Sequence, residues 1–231
     1  PLADLDLASR SRVVAALRDM ADGGTSVLVS EHRVGALREV ADLVLRIEAD
    51  DDGGARVVRG ADRELTTAPL AAEAGLRVSP TPHAAVLHVA DLTIAVGERM
   101  LLRAATFDVA RGEIVAVTGD VGSGKTTLLN QLALPPRRDA RGSVEVEGTA
   151  VSTLRRRPRL RALALVPDAS DDLLFRLTVV EECARADRRV GAAVGATLER
   201  FRAFAGGATA VDARHPRDLS VGQRRLLVLA V

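Results

Sequence analysis

The sequence predicts an α/β fold built on a parallel sheet. Three observations carry this. The run Ile114–Thr118, IVAVT, is short, apolar and β-branched, as a strand buried on both faces must be. A glycine-rich turn and a helical stretch follow it directly, the order expected of a parallel core. Val86–Val96 and Met100–Val109 each alternate with strand period, which adds two longer strands ahead of that unit.

The remaining elements follow in chain order. Residues 7–22 place Val13, Val14, Leu17 and Met20 at helical spacing, and Gly23-Gly24 stop the helix. Thr25–Ser30, TSVLVS, reads as a strand, 34–42 as a short helix and Leu43–Ile47 as another strand. The acidic run Asp50–Asp52 beside Gly53-Gly54 reads as a solvated turn rather than a metal site, with Ala55–Arg59 as the returning hairpin partner. Residues 61–84 contain Pro69, Pro80 and Pro82 and little periodicity, so they form a linker. Beyond the central strand, helices are expected at 124–133, 178–187, 192–205 and 220–231, and strands at Ser143–Val146 and Ala162–Val166. The basic run Arg155, Arg156, Arg157, Arg159 and Arg161 contains Pro158 and no aromatic for base stacking, so it reads as a solvated loop, with a weak phosphate or lipid-surface role as the alternative.

Composition narrows the function classes. The 231 residues carry a net charge of +1, which argues against a general nucleic-acid binder. A single cysteine, Cys183, excludes a disulfide framework and a multi-cysteine zinc site and fits a reducing compartment. No apolar run approaches the length of a membrane span. The opening residues PLADLDLASR lack the pattern of a secretory leader, and Pro1 reads as something other than a natural start. Of the 32 Lys and Arg residues, Lys125 is the sole lysine.

That lysine sits in the motif that carries chemistry. Gly119-Asp120-Val121-Gly122-Ser123-Gly124-Lys125-Thr126 fits G-x-x-x-x-G-K-[ST] in full, between a strand and a helix. Glycines let the backbone turn tightly and bring N–H groups to a polyphosphate. The helix N-terminus adds a positive dipole end. Lys125 supplies a compact charge for the β/γ-phosphates, and the Thr126 hydroxyl suits Mg²⁺. An arginine would present a broad planar fork where a point charge is needed. Far downstream, Leu219-Ser220-Val221-Gly222-Gln223 opens a helix with Ser220 as N-cap, a second anion-facing helix start.

With these residues in view, the chain resembles the ATP-binding cassette (ABC) ATPases. LSVGQ at 219–223 is similar to that family's signature LSGGQ, with Val221 replacing its first glycine. The preceding His215-Pro216-Arg217-Asp218 is similar to the run that leads into the signature. Val166–Phe175, VPDASDDLLF, resembles the Q-loop segment, closest to the energy-coupling-factor branch that serves cobalt, nickel and vitamin uptake. Pro1–Asp6 is similar to residues that follow the Walker B glutamate and end in the D-loop aspartate, here Asp6. Ser30-Glu31-His32-Arg33 looks like the switch-histidine loop. The resemblance implies a P-loop NTPase fold, incomplete here, with a RecA-like core, an antiparallel β subdomain and an α-helical signature subdomain. Residues 1–60 resemble the C-terminal part of a first nucleotide-binding domain, 61–84 link, and 85–231 resemble the N-terminal part of a second. A window cut from a tandem protein explains this order better than a single permuted domain.

By the same resemblance, ATP with Mg²⁺ lies on Gly119–Thr127, with Thr127 completing the loop. Ser220, Gly222 and Gln223 serve the nucleotide of the paired domain, and His32 contacts γ-phosphate and attacking water there. Asp6 lies across the interface from Lys125. Asp168 stands at the Q-loop glutamine position as a candidate Mg²⁺ ligand, a carboxylate in place of an amide. Val96 stands where the family's adenine-stacking aromatic belongs, which implies weaker or less selective adenine binding. The partners implied are a transmembrane permease subunit, docking near Asp168–Phe175, and a second nucleotide-binding domain in cis, at the cytoplasmic face of the membrane. No nucleic acid is expected. The function implied is ATP hydrolysis energising an importer. A soluble tandem ATPase acting on ribosomes or DNA, or a degenerate regulatory half, are the alternatives. Because the Walker B residues fall outside the window, the chain alone is expected to bind Mg-ATP weakly and hydrolyse it negligibly. If TSVLVS finds no sheet of its own, it is expected to dock beside Ile114–Thr118.

Overall fold

A computed structural model describes residues 5, 7–30, 37, 40–49, 54–59, 84–134, 140–155, 158–159, 162–166, 173–207 and 211–231. The chain divides into two compact units, Arg18–Leu165 and the pair of segments Pro1–Leu17 with Val166–Val231.

The first unit is an eight-stranded sheet ordered β1-β6-β2-β3-β5-β4-β7-β8. Its strands are β1 (Val27–Ser30), β2 (Leu43–Ala49), β3 (Ala55–Arg59), β4 (Ala85–Val96), β5 (Arg99–Ala110), β6 (Ile114–Gly119), β7 (Ala140–Val146) and β8 (Thr149–Ala150). The apolar strand β6 lies in the parallel part of the sheet, and Ile114, Val115, Ala116 and Val117 have no exposed surface. Both of its neighbours come from the beginning of the chain. β1 pairs with it in parallel, Val27 opposite Ile114, and β2 does so on the other edge, Leu43 opposite Val115. TSVLVS therefore docks beside Ile114–Thr118, as expected.

Polar groups hold this junction in register. The Asp42 carboxylate accepts from the Ile114 N–H at 2.8 Å and pairs with Arg18 at 3.2 Å. Arg18 also donates to the Gly112 carbonyl at 3.2 Å, and Ser26 donates to the Ala110 carbonyl at 2.7 Å. The buried Thr118 hydroxyl donates to the Leu45 carbonyl at 3.3 Å. β2 and β3 form the expected antiparallel hairpin, Leu45 opposite Arg59 and Ala49 opposite Ala55. β4 pairs antiparallel with both β5 and β7. A hydrophobic cluster including Leu45, Ile47, Leu87, Ile94, Leu102, Phe107, Val117 and Leu128 lies in this unit.

Two expectations fail here. Residues 163–166 join no strand. An apolar run becomes a strand only where a neighbour offers ladder partners, and Leu163 instead packs its side chain against the core. Arg159 is buried rather than solvated, donating to the carbonyls of Val151 and Leu154. It ties off the 3₁₀ turn Val151–Thr153, a structural use of a cation that composition does not reveal.

The second unit is helical: α3 (Val179–Val190), α4 (Ala196–Phe204) and α5 (Val221–Ala230). Helix α1 (Leu7–Asp22) begins in it and ends in the sheet unit. α3 packs on α4 and α4 on α5, with Val179, Cys183, Phe201, Leu226 and Leu227 buried. Thr178 caps α3 and Gly191 closes it in the left-handed conformation.

Two buried carboxylates organise this unit. Asp187 accepts from Gly195 N–H at 2.8 Å, Thr197 N–H at 2.9 Å and the Thr197 hydroxyl at 2.6 Å, and so caps α4 from the side. The Thr197 hydroxyl, foremost, holds the Asp187 carboxyl below the usual carboxylate range. A lowered folded-state value means that the stabilisation is present above the ordinary aspartate range and is lost as pH falls through the lowered value. Asp187→Asn is therefore expected to lower Tm by several degrees near neutrality, with the gap to wild type closing as both are melted at increasingly acidic pH. Glu182 has no exposed surface and accepts from the Phe175 and Arg176 N–H groups at 2.6 and 2.8 Å. Burial, then Asp187 and Glu182, push the Cys183 thiol up to about 12, so it stays protonated and unreactive.

Candidate functional site

Strand β6 ends at Gly119, and Asp120–Gly124 turn the chain into helix α2 (Lys125–Ala133). Gly119 has φ +141°, and a Cβ there would lie 2.5 Å from the Ile47 carbonyl oxygen and 2.7 Å from Ser123 Oγ. No other residue fits that position. Gly124 precedes α2 in the left-handed conformation, φ 100° and ψ 8°, and no side chain caps the helix. The first N–H groups of α2 thus have neither an intrahelical carbonyl nor a capping side chain, which makes an anion-accepting end.

Lys125 extends back over its own loop. Its Nζ donates to the Gly119 carbonyl at 2.9 Å and the Asp120 carbonyl at 2.8 Å, using two of its three donors. Ser123 N–H donates to the Asp120 carbonyl at 3.1 Å. The Ser123 hydroxyl is buried with no partner among the described residues, in a loop where such an atom calls for a ligand. Thr126 is exposed on the first turn of α2.

A cleft of about 500 Å³ opens over this loop, within the range of small-molecule sites. Gly119–Gly124 and Thr127 contribute one part of its lining. Arg46, Ile47, Glu48, Ala49, Gly54 and Ala55 contribute another from the β2–β3 hairpin, and Arg99, Met100 and Leu101 a third from β5. Glu48 is held by Arg46 at 3.4 Å and Arg56 at 3.3 Å.

The structure places Gly119, Asp120, Val121, Gly122, Ser123, Gly124, Lys125, Thr126 and Thr127 in one loop and helix start. The second expected cluster forms a helix start of its own. Ser220 accepts from the Gln223 N–H at 3.2 Å, and the Gln223 side chain accepts from the Ser220 N–H at 3.1 Å, a reciprocal capping box. Gly222 is buried against α1: a Cβ there would meet Ser9 Oγ at 2.4 Å and Ser9 Cβ at 2.6 Å. Asp6, His32 and Asp168 lie outside the described residues. Leu173 to Arg176, at the end of the Q-loop-like segment, are held by Glu182 and by Arg185, which lies 4.9 Å over the Phe175 ring. Sequence reasoning missed Arg46, Glu48, Arg99 and Met100 as cleft residues. The one trace they leave is that Arg46 and Glu48 interrupt an otherwise apolar strand.

The uncapped α2 start, Lys125 and the unpaired Ser123 hydroxyl fit a polyphosphate. Thr126 is the hydroxyl suited to Mg²⁺. Among the described residues no three His, Cys, Asp or Glu side chains gather to hold a metal. A hard cation here would take most of its oxygens from phosphate and water.

The family model described as ABC transporter matches residues 102–231. The chain belongs to the ABC transporter family, and its fold is that family's P-loop NTPase fold. A Streptomyces avermitilis protein named "Putative ABC transporter ATP-binding protein" is 40% identical over 157 residues, covering 66% of this chain and 27% of the relative. A Methanosarcina acetivorans protein of the same name is 28% identical over 242 residues, covering 99% of this chain and 45% of the relative. The sulfate/thiosulfate import ATP-binding protein CysA of Escherichia coli is 31% identical over 151 residues, 62% of this chain and 40% of that protein. The chain thus spans less than half the length of each of these relatives. Among solved structures, an ATP-binding subunit of an ABC transporter superposes with a TM-score of 0.52 at 22% identity, covering 63% of this chain and 61% of that one. Among the described residues no helix is long and apolar enough to cross a membrane.

Proposed function

We propose that this chain belongs to the ATP-hydrolysing engine of a membrane importer of the energy-coupling-factor type, which takes up a metal ion or vitamin. The observation that carries the nucleotide part is the loop itself: an uncapped helix start, a lysine laid over the loop carbonyls, and a cleft of suitable size above them. The Q-loop-like segment 166–175 and the named import relative support the transport part. In this reading residues 1–60 close a first nucleotide-binding domain and 85–231 open a second. The protein works at the cytoplasmic face of the membrane with a permease subunit.

The chain's own residues divide the work. The N–H groups of Gly122–Thr127 orient the phosphates, Lys125 neutralises charge on the β/γ oxygens, and Thr126 offers a hydroxyl to Mg²⁺. Bound Mg²⁺ would supply further neutralisation of the triphosphate. Asp168 offers a carboxylate to that Mg²⁺, His32 contacts the γ-phosphate and attacking water of the paired domain's nucleotide, and Asp6 contacts the loop from across the interface. Ser220, Gly222 and Gln223 offer a helix N-terminus to the opposite nucleotide. The test is expression of the complete reading frame together with the membrane protein encoded beside it. The pair is expected to copurify and to hydrolyse ATP in vesicles that accumulate the substrate. A protein that hydrolyses ATP but partitions with ribosomes or DNA instead would replace the importer reading with the soluble one.

A further inference from the structure

The walls of the cleft indicate how it treats the base of a nucleotide, a point that rests on the nucleotide reading above. None of the described residues that line it carries an aromatic ring, and the chain has no Trp or Tyr. A nucleobase presents two π faces and needs a flat or polarisable surface against at least one. The walls offer two guanidinium groups, Arg46 and Arg99, and the Met100 thioether. Arg46 is engaged with Glu48. Arg99 is exposed and has no carboxylate partner among the described residues. A guanidinium is planar, weakly hydrated and stacks on π systems, and a thioether adapts to a ring edge.

We propose that Arg99, with Met100 beside it at the start of β5, forms the seat for the nucleobase in place of an aromatic ring. The site then accepts purine nucleoside triphosphates with little preference between adenine and guanine. Stacking reads the face of a base and not the pattern of donors and acceptors on its edge. Of the two carboxylates on the walls, Glu48 is already shared between Arg46 and Arg56 and is not free to select an exocyclic amino group, and Asp120 belongs to the phosphate loop, away from the β5 wall that carries Arg99.

Calorimetric titration of the purified chain with MgATP, MgGTP and inorganic tripolyphosphate tests this. The two nucleotides are expected to bind within about threefold of each other. Arg99→Ala is expected to weaken both by about fivefold while leaving tripolyphosphate unchanged. Arg99→Lys, which keeps the charge and loses the plane, is expected to behave like Arg99→Ala. Because Arg99 is exposed at a strand end, an unchanged Tm will show that both variants fold. A preference for ATP above about tenfold, full rescue by lysine, or an equal loss of tripolyphosphate binding would each overturn the seat while leaving the nucleotide reading standing. Failure of the wild type to bind any of the three would overturn both.

Discussion

Replacing Lys125 with Met is expected to weaken binding of MgATP by about 10- to 100-fold, the loss that follows removal of a donor to a charged group. The structure explains why the effect falls on binding rather than folding. Lys125 Nζ bonds two carbonyls of its own loop, and these are surface groups that water can satisfy, so Tm should change little. Lys125→Arg should restore little binding. The guanidinium cannot rest as a point charge over Gly119 and Asp120, and it brings a planar fork where the loop presents a narrow seat. Titration of wild type and both variants checks this. Lys125→Met binding MgATP within about twofold of wild type would remove the loop from the nucleotide site.

The second large effect is expected at Gly119 and is one of stability. Alanine there meets a φ of +141°, the Ile47 carbonyl at 2.5 Å and Ser123 Oγ at 2.7 Å. Ser123 Oγ can rotate aside, but the backbone contact does not yield cheaply, because Ile47 O belongs to β2 and Ile47 lies opposite Gly119 in the β2–β6 ladder. Gly119→Ala is expected to cost about 2–3 kcal/mol, or roughly 5–10 °C in Tm for a chain of this length. Gly122→Ala is the control: its φ is +83° but no atom lies within 4 Å of the added Cβ. The smaller loss should be at Gly122, as read by thermal melts. Equal losses would mean that backbone conformation and not the approach of β2 sets the cost.

These two residues also mark how far local chemistry can be read. Strand β6, its loop and α2 were legible because each is specified by adjacent residues: a β-branched apolar run, glycines at the turn, then a helical stretch. The same holds for α5, whose Ser220 and Gln223 announce a capping box. Placing β1 and β2 on either side of β6 required more, because nothing in TSVLVS names its neighbour; the order of motifs along the chain suggested one of the two. The 163–166 run misled because strand propensity is realised only with a ladder partner. Arg159 misled because burial of a cation depends on carbonyls that a turn happens to aim at it. The cleft walls were illegible for a related reason. Arg46 and Arg99 stand 53 positions apart in sequence, and sheet pairing alone makes them line one space.

The flanking of β6 by β1 and β2 also has a consequence in time. Val27 pairs with Ile114, 87 positions later in the chain (114 − 27). At about 5–20 residues per second of synthesis, β1 and β2 leave the ribosome several seconds before the strand that joins them exists. During that interval two apolar strands have exposed edges and no mutual pairing, since β6 separates them in the sheet order. Such edges recruit other chains. The nucleotide loop, which directly follows β6, is completed only after that wait, and β1 and β2 are the strands that need protection in the meantime.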